Sequence, residues 1–186
     1  AREDVTFARS DPDSDPCGYR SVITLMLAEK HYGMPGLSDR LTSKNKEFIR
    51  PKEIDLVALV ESNAVDYMFT YRSVAIQHNL SYIELPAEIS LGDPDRNDFY
   101  GTVSVEVAGN SPGSRITIKG EYINYSLTVI DNAVNNEGAI DFVSFLFGSE
   151  GMDIFRKSGQ DPIIPYIYEH RNLIPDNLLI HLQAGK

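Results

Sequence analysis

Apolar positions along this chain alternate between two spacings, and each change of spacing marks an element. Val5-Thr6-Phe7-Ala8-Arg9 reads as a short strand, followed by a turn-rich loop from Ser10 to Pro16 with two Asp-Pro steps. Tyr19, Val22, Ile23, Met26, Leu27 and His31 then recur at three- and four-residue intervals, which predicts a helix that Gly33 and Pro35 stop. Residues Leu37 to Glu47 are polar and basic enough for a surface loop or a weak helix, and Phe48-Ile49-Arg50 is a minimal strand closed by Pro51.

The alternation continues. Pro51-Lys52-Glu53 opens a second helix with Leu56, Val57, Leu59 and Val60 as its buried stripe and Asn63 near its end. Val65 to Tyr71 is a continuous apolar run, the kind expected inside a parallel sheet covered on both faces. A third helix follows from Val74 to His78, then a strand from Tyr82 to Leu85 and a loop from Pro86 to Pro94. Strand, helix, strand, helix, strand is the order of a doubly wound α/β lobe. Further on, Phe99 to Val107 and Arg115 to Lys119 flank a Gly, Ser and Pro-rich turn and predict a hairpin. Tyr122 to Val129 is the longest strand candidate. Helices are expected over Glu137 to Phe147 and Gly151 to Ser158, and an amphipathic segment over Leu178 to Leu182. Tyr166 and Tyr168, with Pro162 and Pro165, are expected to pack against a lobe.

Composition narrows the function. With 186 residues and 42% hydrophobic content, the chain is long enough for one large domain or two small lobes. Its 27 acidic and 17 basic residues leave a formal net charge of −10, which argues against nucleic acid and anionic membranes as partners. Any bound anion must then be held by local dipoles. Cys17 is the single cysteine, so an internal disulfide and a thiolate metal cluster are both excluded, and the four histidines have no two-ligand spacing on one helix. No apolar run approaches membrane-spanning length. Ala1-Arg2-Glu3-Asp4 lacks the features of a secretory signal, so the signal is expected to be removed already or the chain to be a fragment.

Candidate chemistry concentrates where strands turn into helices. Asp15-Pro16-Cys17-Gly18-Tyr19-Arg20 joins an acidic loop to a helix start, where unpaired N–H groups and the helix dipole favour an anion. Pro16 suits the first turn and Gly18 permits close approach to the backbone. Asp15 as a simple helix cap is the plain alternative. Pro51-Lys52-Glu53 and Tyr71-Arg72-Ser73 repeat the arrangement, and in a parallel sheet such turns share one edge, where ligands bind. Two enzyme readings stand beside this one: Cys17 as a nucleophile, or Asp15 and Glu53 as an acid–base pair. Arg20 and Arg72 either balance the site's carboxylates or form surface pairs.

Three motifs carry a resemblance: Ser10 to Arg20, Arg50 to Glu61, and Asp66 to Ala75. Together with Glu84-Leu85-Pro86, Asn97-Asp98-Phe99-Tyr100 and the helices around Phe145 to Phe155, they resemble the archaeal molybdate/tungstate-binding proteins of ABC importers. The resemblance implies a type II periplasmic-binding fold: an α/β lobe with a mostly parallel sheet flanked by helices, hinge strands, and C-terminal helices that complete a second lobe. It implies a ligand-binding lobe over 1–121, entered by a crossover strand at 4–9, and a return strand with C-terminal helices over 122–186. Ligand-binding residues carried over are Asp15, Pro16, Cys17, Glu53 and Tyr71, with Asp15 and Glu53 coordinating the tungsten or molybdenum of the oxyanion. The Cys17 N–H and Tyr71 O–H would donate to its oxo groups. The same fold binding sulfate, phosphate or a small carboxylate is the alternative.

Further expectations follow from that family. No cofactor and no catalysis are implied, the partner is an ABC transporter permease, and the location is the extracellular or periplasmic side of the membrane, with an anchor in the full-length form. By that resemblance the family's serine-bearing N-terminal lobe segment is expected to be missing here, and Leu37 to Phe48 looks shorter than expected for archaeal members. The apolar stripe after Val129 should therefore need that missing segment or an oligomer partner to cover it.

Overall fold

Three strands organise the first half of the chain, seen in a computed structural model that describes residues 2–164, 166 and 170–183, with backbone alone at 181–183. β1 (Phe7–Ser10) is central and parallel to both neighbours, β2 (Ile49–Arg50) and β3 (Tyr67–Met68). Arg9 and Ser10 lie opposite Ile49 and Arg50, and Phe7 and Ala8 opposite Tyr67 and Met68. Backbone hydrogen bonds from Asp11 N–H to the Arg50 carbonyl (2.8 Å) and from Phe69 N–H to the Ala8 carbonyl (3.0 Å) extend the pairing toward the C-terminal edge.

The helices follow from local chemistry. Asp15 caps α1 (Pro16–Tyr32), Pro16 sits at its first position, and Gly33 ends it at φ +60°, a left-handed conformation that glycine adopts without a Cβ penalty. Ile23, Leu27 and Ala28 of α1 form a core with Leu37, Ile89, Leu91, Tyr100 and Val103. A fully buried leucine or isoleucine in such a cluster contributes about 1.5–3 kcal/mol. Ala8, Leu56 and Val65 make a second core, joined by Phe48, Leu59, Val60 and Met68. Leu37–Ser43 is helical (α2), the second of the two states its polarity allows. Glu53–Leu56 opens the second predicted helix as a 3-10 turn before α3 (Val57–Glu61).

Beyond these, α4 (Arg72–Gln77), α5 (Ala87–Ser90) and α6 (Asn97–Tyr100) precede the hairpin of β4 (Ser104–Ala108) and β5 (Arg115–Lys119), antiparallel with Ala108 opposite Arg115. Arg115 Nη1 donates to both Asp13 oxygens, at 2.9 and 3.0 Å, and so ties this hairpin to the loop before α1, and Asp13 also accepts from Ala108 N–H. Then come α7 (Asn136–Phe147), α8 (Ser149–Lys157) and α9 (Asp176–Gln183). The Asn135 side chain caps α7 by accepting from Gly138 N–H at 2.9 Å. Tyr166 meets the Phe147 ring edge-on at 4.8 Å and donates to the Met152 sulfur at 3.3 Å, the packing expected of it. Pro165 and Tyr168 lie outside the described residues.

Several predicted strands are corrected. The ladder of Val65 to Tyr71 is confined to Tyr67–Met68, and among the described residues β3 has a partner on one side only, leaving Tyr67 52% exposed. Phe99 and Tyr100 end α6 instead of beginning a strand, because the Asp93 side chain accepts from Asp95 N–H and starts a 3-10 turn at Pro94 that runs into the helix. Tyr82 to Leu85 and Tyr122 to Val129 form no ladder. Their β-rich composition lacks a neighbouring strand, and without one the backbone groups have no sheet partner. The chain divides into two compact units, Ala1–Tyr71 with Tyr82–Asn124, and Arg72–Ser81 with Tyr125–Lys186.

Candidate functional site

Asp15 is the centre of the arrangement, because its two carboxylate oxygens bind two different segments. Oδ1 accepts from Cys17 N–H at 2.7 Å, inside α1, and Oδ2 accepts from Glu53 N–H at 2.7 Å. Each bond satisfies a backbone donor that a helix start leaves without an intrahelical partner. Glu53 then reaches the end of the third strand. Its Oε1 accepts from Tyr71 N–H at 2.7 Å and from the Thr70 hydroxyl. Among the described residues no donor is bonded to Glu53 Oε2, so Glu53 has one oxygen held and one not, whereas both Asp15 oxygens are held.

Asp15, Pro16, Cys17, Glu53 and Tyr71 are thus assembled by the first unit alone. Pro16 takes its place as the first residue of α1. The Cys17 amide, expected to donate to a ligand, donates to Asp15. Cys17 as a residue is 4% exposed, with its Sγ 3.8 Å from the Phe69 carbonyl oxygen. Burial first, then the charges of Glu53 and Asp15, push the thiol up to about 12, so at neutral pH it stays protonated. That is the opposite of an activated nucleophile.

Tyr71 is half-buried, and burial pushes its phenol up to about 12 even though the Arg20 hydrogen bond pulls the other way. It therefore keeps its proton across the physiological range. Arg20 Nη1 donates to Tyr71 Oη at 2.6 Å, and the guanidinium lies 5.6 Å from the Tyr19 ring centre and 5.7 Å from that of Tyr71. Arg72 pairs with Asp161 at 2.7 Å within the second unit.

Gly18 has a different role from the one its sequence context suggests. A Cβ there would sit 2.5 Å from the carbonyl carbon and oxygen of Asp11, so the close approach it permits is that of the Asp11-Pro12 backbone, leaving no space for a ligand at that point. Thr70 was missed by sequence reasoning; the only signal was its place beside Tyr71 at a strand end. Among the described residues no group of three or more His, Cys, Asp or Glu side chains is placed to hold a metal ion. The site offers two carboxylates and a phenol, its backbone amides being taken up by those carboxylates.

The chain is 46% identical over 188 residues to an uncharacterized solute-binding protein of Petrotoga mobilis, covering 99% of this chain and 58% of that protein. It is 46% identical to the molybdate/tungstate-binding protein WtpA of Thermococcus kodakarensis, covering 89% of this chain and 51% of that protein. For the WtpA of Pyrococcus abyssi the identity is 44%, covering 89% and 53%. The chain spans about half the length of the curated relatives it matches. The model of the bacterial extracellular solute-binding protein family matches residues 1–160, and the chain belongs to that family.

Proposed function

We propose that this chain is the ligand-gripping part of an extracytoplasmic solute-binding protein that captures tungstate or molybdate and delivers it to the membrane permease of an ABC transporter. The observation that carries the reading is the pair of carboxylates, Asp15 and Glu53, joined through the Glu53 amide and held beside Tyr71. Two relatives named for molybdate and tungstate binding support it.

The chemistry of the pair discriminates among anions. Two unit charges 4 Å apart repel by about 4 kcal/mol in a partly screened site, so carboxylates facing sulfate or phosphate oppose binding. A hexavalent tungsten or molybdenum centre is hard and accepts two oxygens beyond its four oxo groups, which turns that repulsion into coordination. Each carboxylate oxygen keeps a second lone pair after accepting one N–H. Asp15 therefore retains acceptor capacity on both oxygens, and Glu53 retains Oε2. Tyr71 O–H supplies a donor to an oxo group. The protein needs no resident cofactor and carries out no reaction in this scheme.

Residues 1–121 would form the ligand lobe, and 122–186 would return to a lobe completed by the polypeptide found in the longer relatives or by an oligomer partner. The protein would work on the extracellular or periplasmic side, with its anchor in the full-length form. Isothermal titration of the full-length protein tests the ligand. Tight tungstate or molybdate binding is expected, and Glu53→Gln should weaken it about thirtyfold or more, equivalent to about 2 kcal/mol. Unchanged affinity in the variant overturns the coordination role.

One feature favours a second reading. Both Asp15 oxygens already cap backbone amides, as they would in a purely structural cap, and the site would then take sulfate, phosphate or a small carboxylate. Heat with sulfate and none with tungstate selects that alternative.

A further inference from the structure

A phenol hydroxyl has one proton to give and lone pairs to receive with, and which it uses toward a ligand depends on its other partner. In Tyr71 the acceptor side is taken by Arg20 Nη1 at 2.6 Å. Arginine has five donors and no acceptor, so the Tyr71 proton cannot point back along that bond. Among the described residues no acceptor is bonded to that proton. The guanidinium is held in turn against the Tyr19 and Tyr71 rings, a contact available to a planar cation. Tyr19 and Arg20 are consecutive residues in the first turns of α1, and Tyr71 N–H is bonded to Glu53.

From this geometry we propose that Arg20 is a positioning residue for the oxyanion site: it occupies the acceptor face of the Tyr71 hydroxyl and so commits that hydroxyl to donate toward the ligand. This inference rests on the oxyanion reading above and extends it to a residue outside the ligand set that reading names. A rival role exists for the same cation. Arg20 could attract the dianion by charge alone, independently of Tyr71.

A double-mutant cycle on the full-length protein separates the two roles, with inorganic tungstate as the probe in calorimetric titrations. Arg20→Met in the natural background is expected to weaken binding about tenfold, the scale of one charge-assisted hydrogen bond. Tyr71→Phe keeps the ring and its stacking while removing the hydroxyl. In that background Arg20→Met should change affinity by less than about twofold, because the group it acted through is gone. Equal losses in both backgrounds overturn the positioning role and assign Arg20 to direct charge attraction or to the fold. Should Arg20→Met fold poorly, as judged by its melting temperature, Arg20→Lys goes through the same cycle. Lysine keeps the charge but loses the planar fork, so positioning predicts a loss that again vanishes with Tyr71→Phe, and charge attraction predicts no loss. Natural protein that ignores tungstate overturns the oxyanion reading and this inference together. Natural protein that binds, with additive variants, overturns this inference alone.

Discussion

Cys17 tests the site with the simplest reagent. Its thiol is buried beside Asp15 and Glu53 and pushed up to about 12, so the thiolate that alkylating agents need is scarce in the folded chain. Iodoacetamide at mildly alkaline pH should leave folded protein unlabelled for hours and modify it at once in denaturant; fast labelling without denaturant refutes the buried geometry. Asp15 carries more of the local structure. Asp15→Ala removes the acceptor for two backbone amides and should lower stability by about 1–3 kcal/mol, measured by urea unfolding. Asp15 and Glu53 were legible as residues at helix starts, since acids before prolines and at first turns have a narrow set of uses. Their bond to each other was not legible. It depends on the β1–β2 register, which no local pattern encodes. The same holds for Gly18, whose small size serves the Asp11 backbone. Gly18→Ala should therefore destabilise even the ligand-free protein, whereas a glycine kept for ligand access would cost affinity alone.

Among elements, those with internally satisfied hydrogen bonds were the readable ones. α1, α7 and the β4–β5 hairpin carry their own periodicity, caps or turn; the two helices and β5 fall where the apolar spacing places them, while β4 begins only at Ser104, after the helix that takes Phe99 and Tyr100. Strand expectations failed where the partner had to come from elsewhere, as at Tyr82 to Leu85 and Tyr122 to Val129. Apolar side chains in the second unit fit the same logic. On α7, Phe142 is 59% and Phe145 42% exposed, and Ile130 and Val134 precede them on the surface. Large apolar side chains exposed in this number, where they form one patch, usually mark a contact. The 186-residue chain by itself should bind a hydrophobic dye such as anilinonaphthalene sulfonate and self-associate, and a chain carrying the further length found in its relatives should do neither. Dye binding of equal strength in both would remove the idea that further polypeptide covers this face.

The whole molecule carries a formal charge of −10, and acid should weaken it through particular carboxylates. Asp66 is held below the usual carboxylate range by the Thr6 amide and hydroxyl, Asp13 by Arg115 and the Ala108 amide, and Glu29 by the Ser38 and Gly36 amides. Groups depressed in the folded state contribute stability that is complete above their ordinary pKa values and is lost as pH falls through the folded ones. Urea midpoints should hold steady near neutrality and fall as the pH drops below the ordinary carboxylate range of about 4, with Asp66→Asn flattening part of that fall. At the same scale, the family assignment and the parallel β2-β1-β3 sheet agree with the α/β order of elements in the chain. Asp15 grips two segments at once. A single side chain guards the amide hydrogens of two segments far apart in sequence, so any excursion of that side chain uncovers both together. Solvent deuterium should enter Cys17 and Glu53 on a shared clock, and a slowing of that clock would signal a loaded molecule without any label on its cargo.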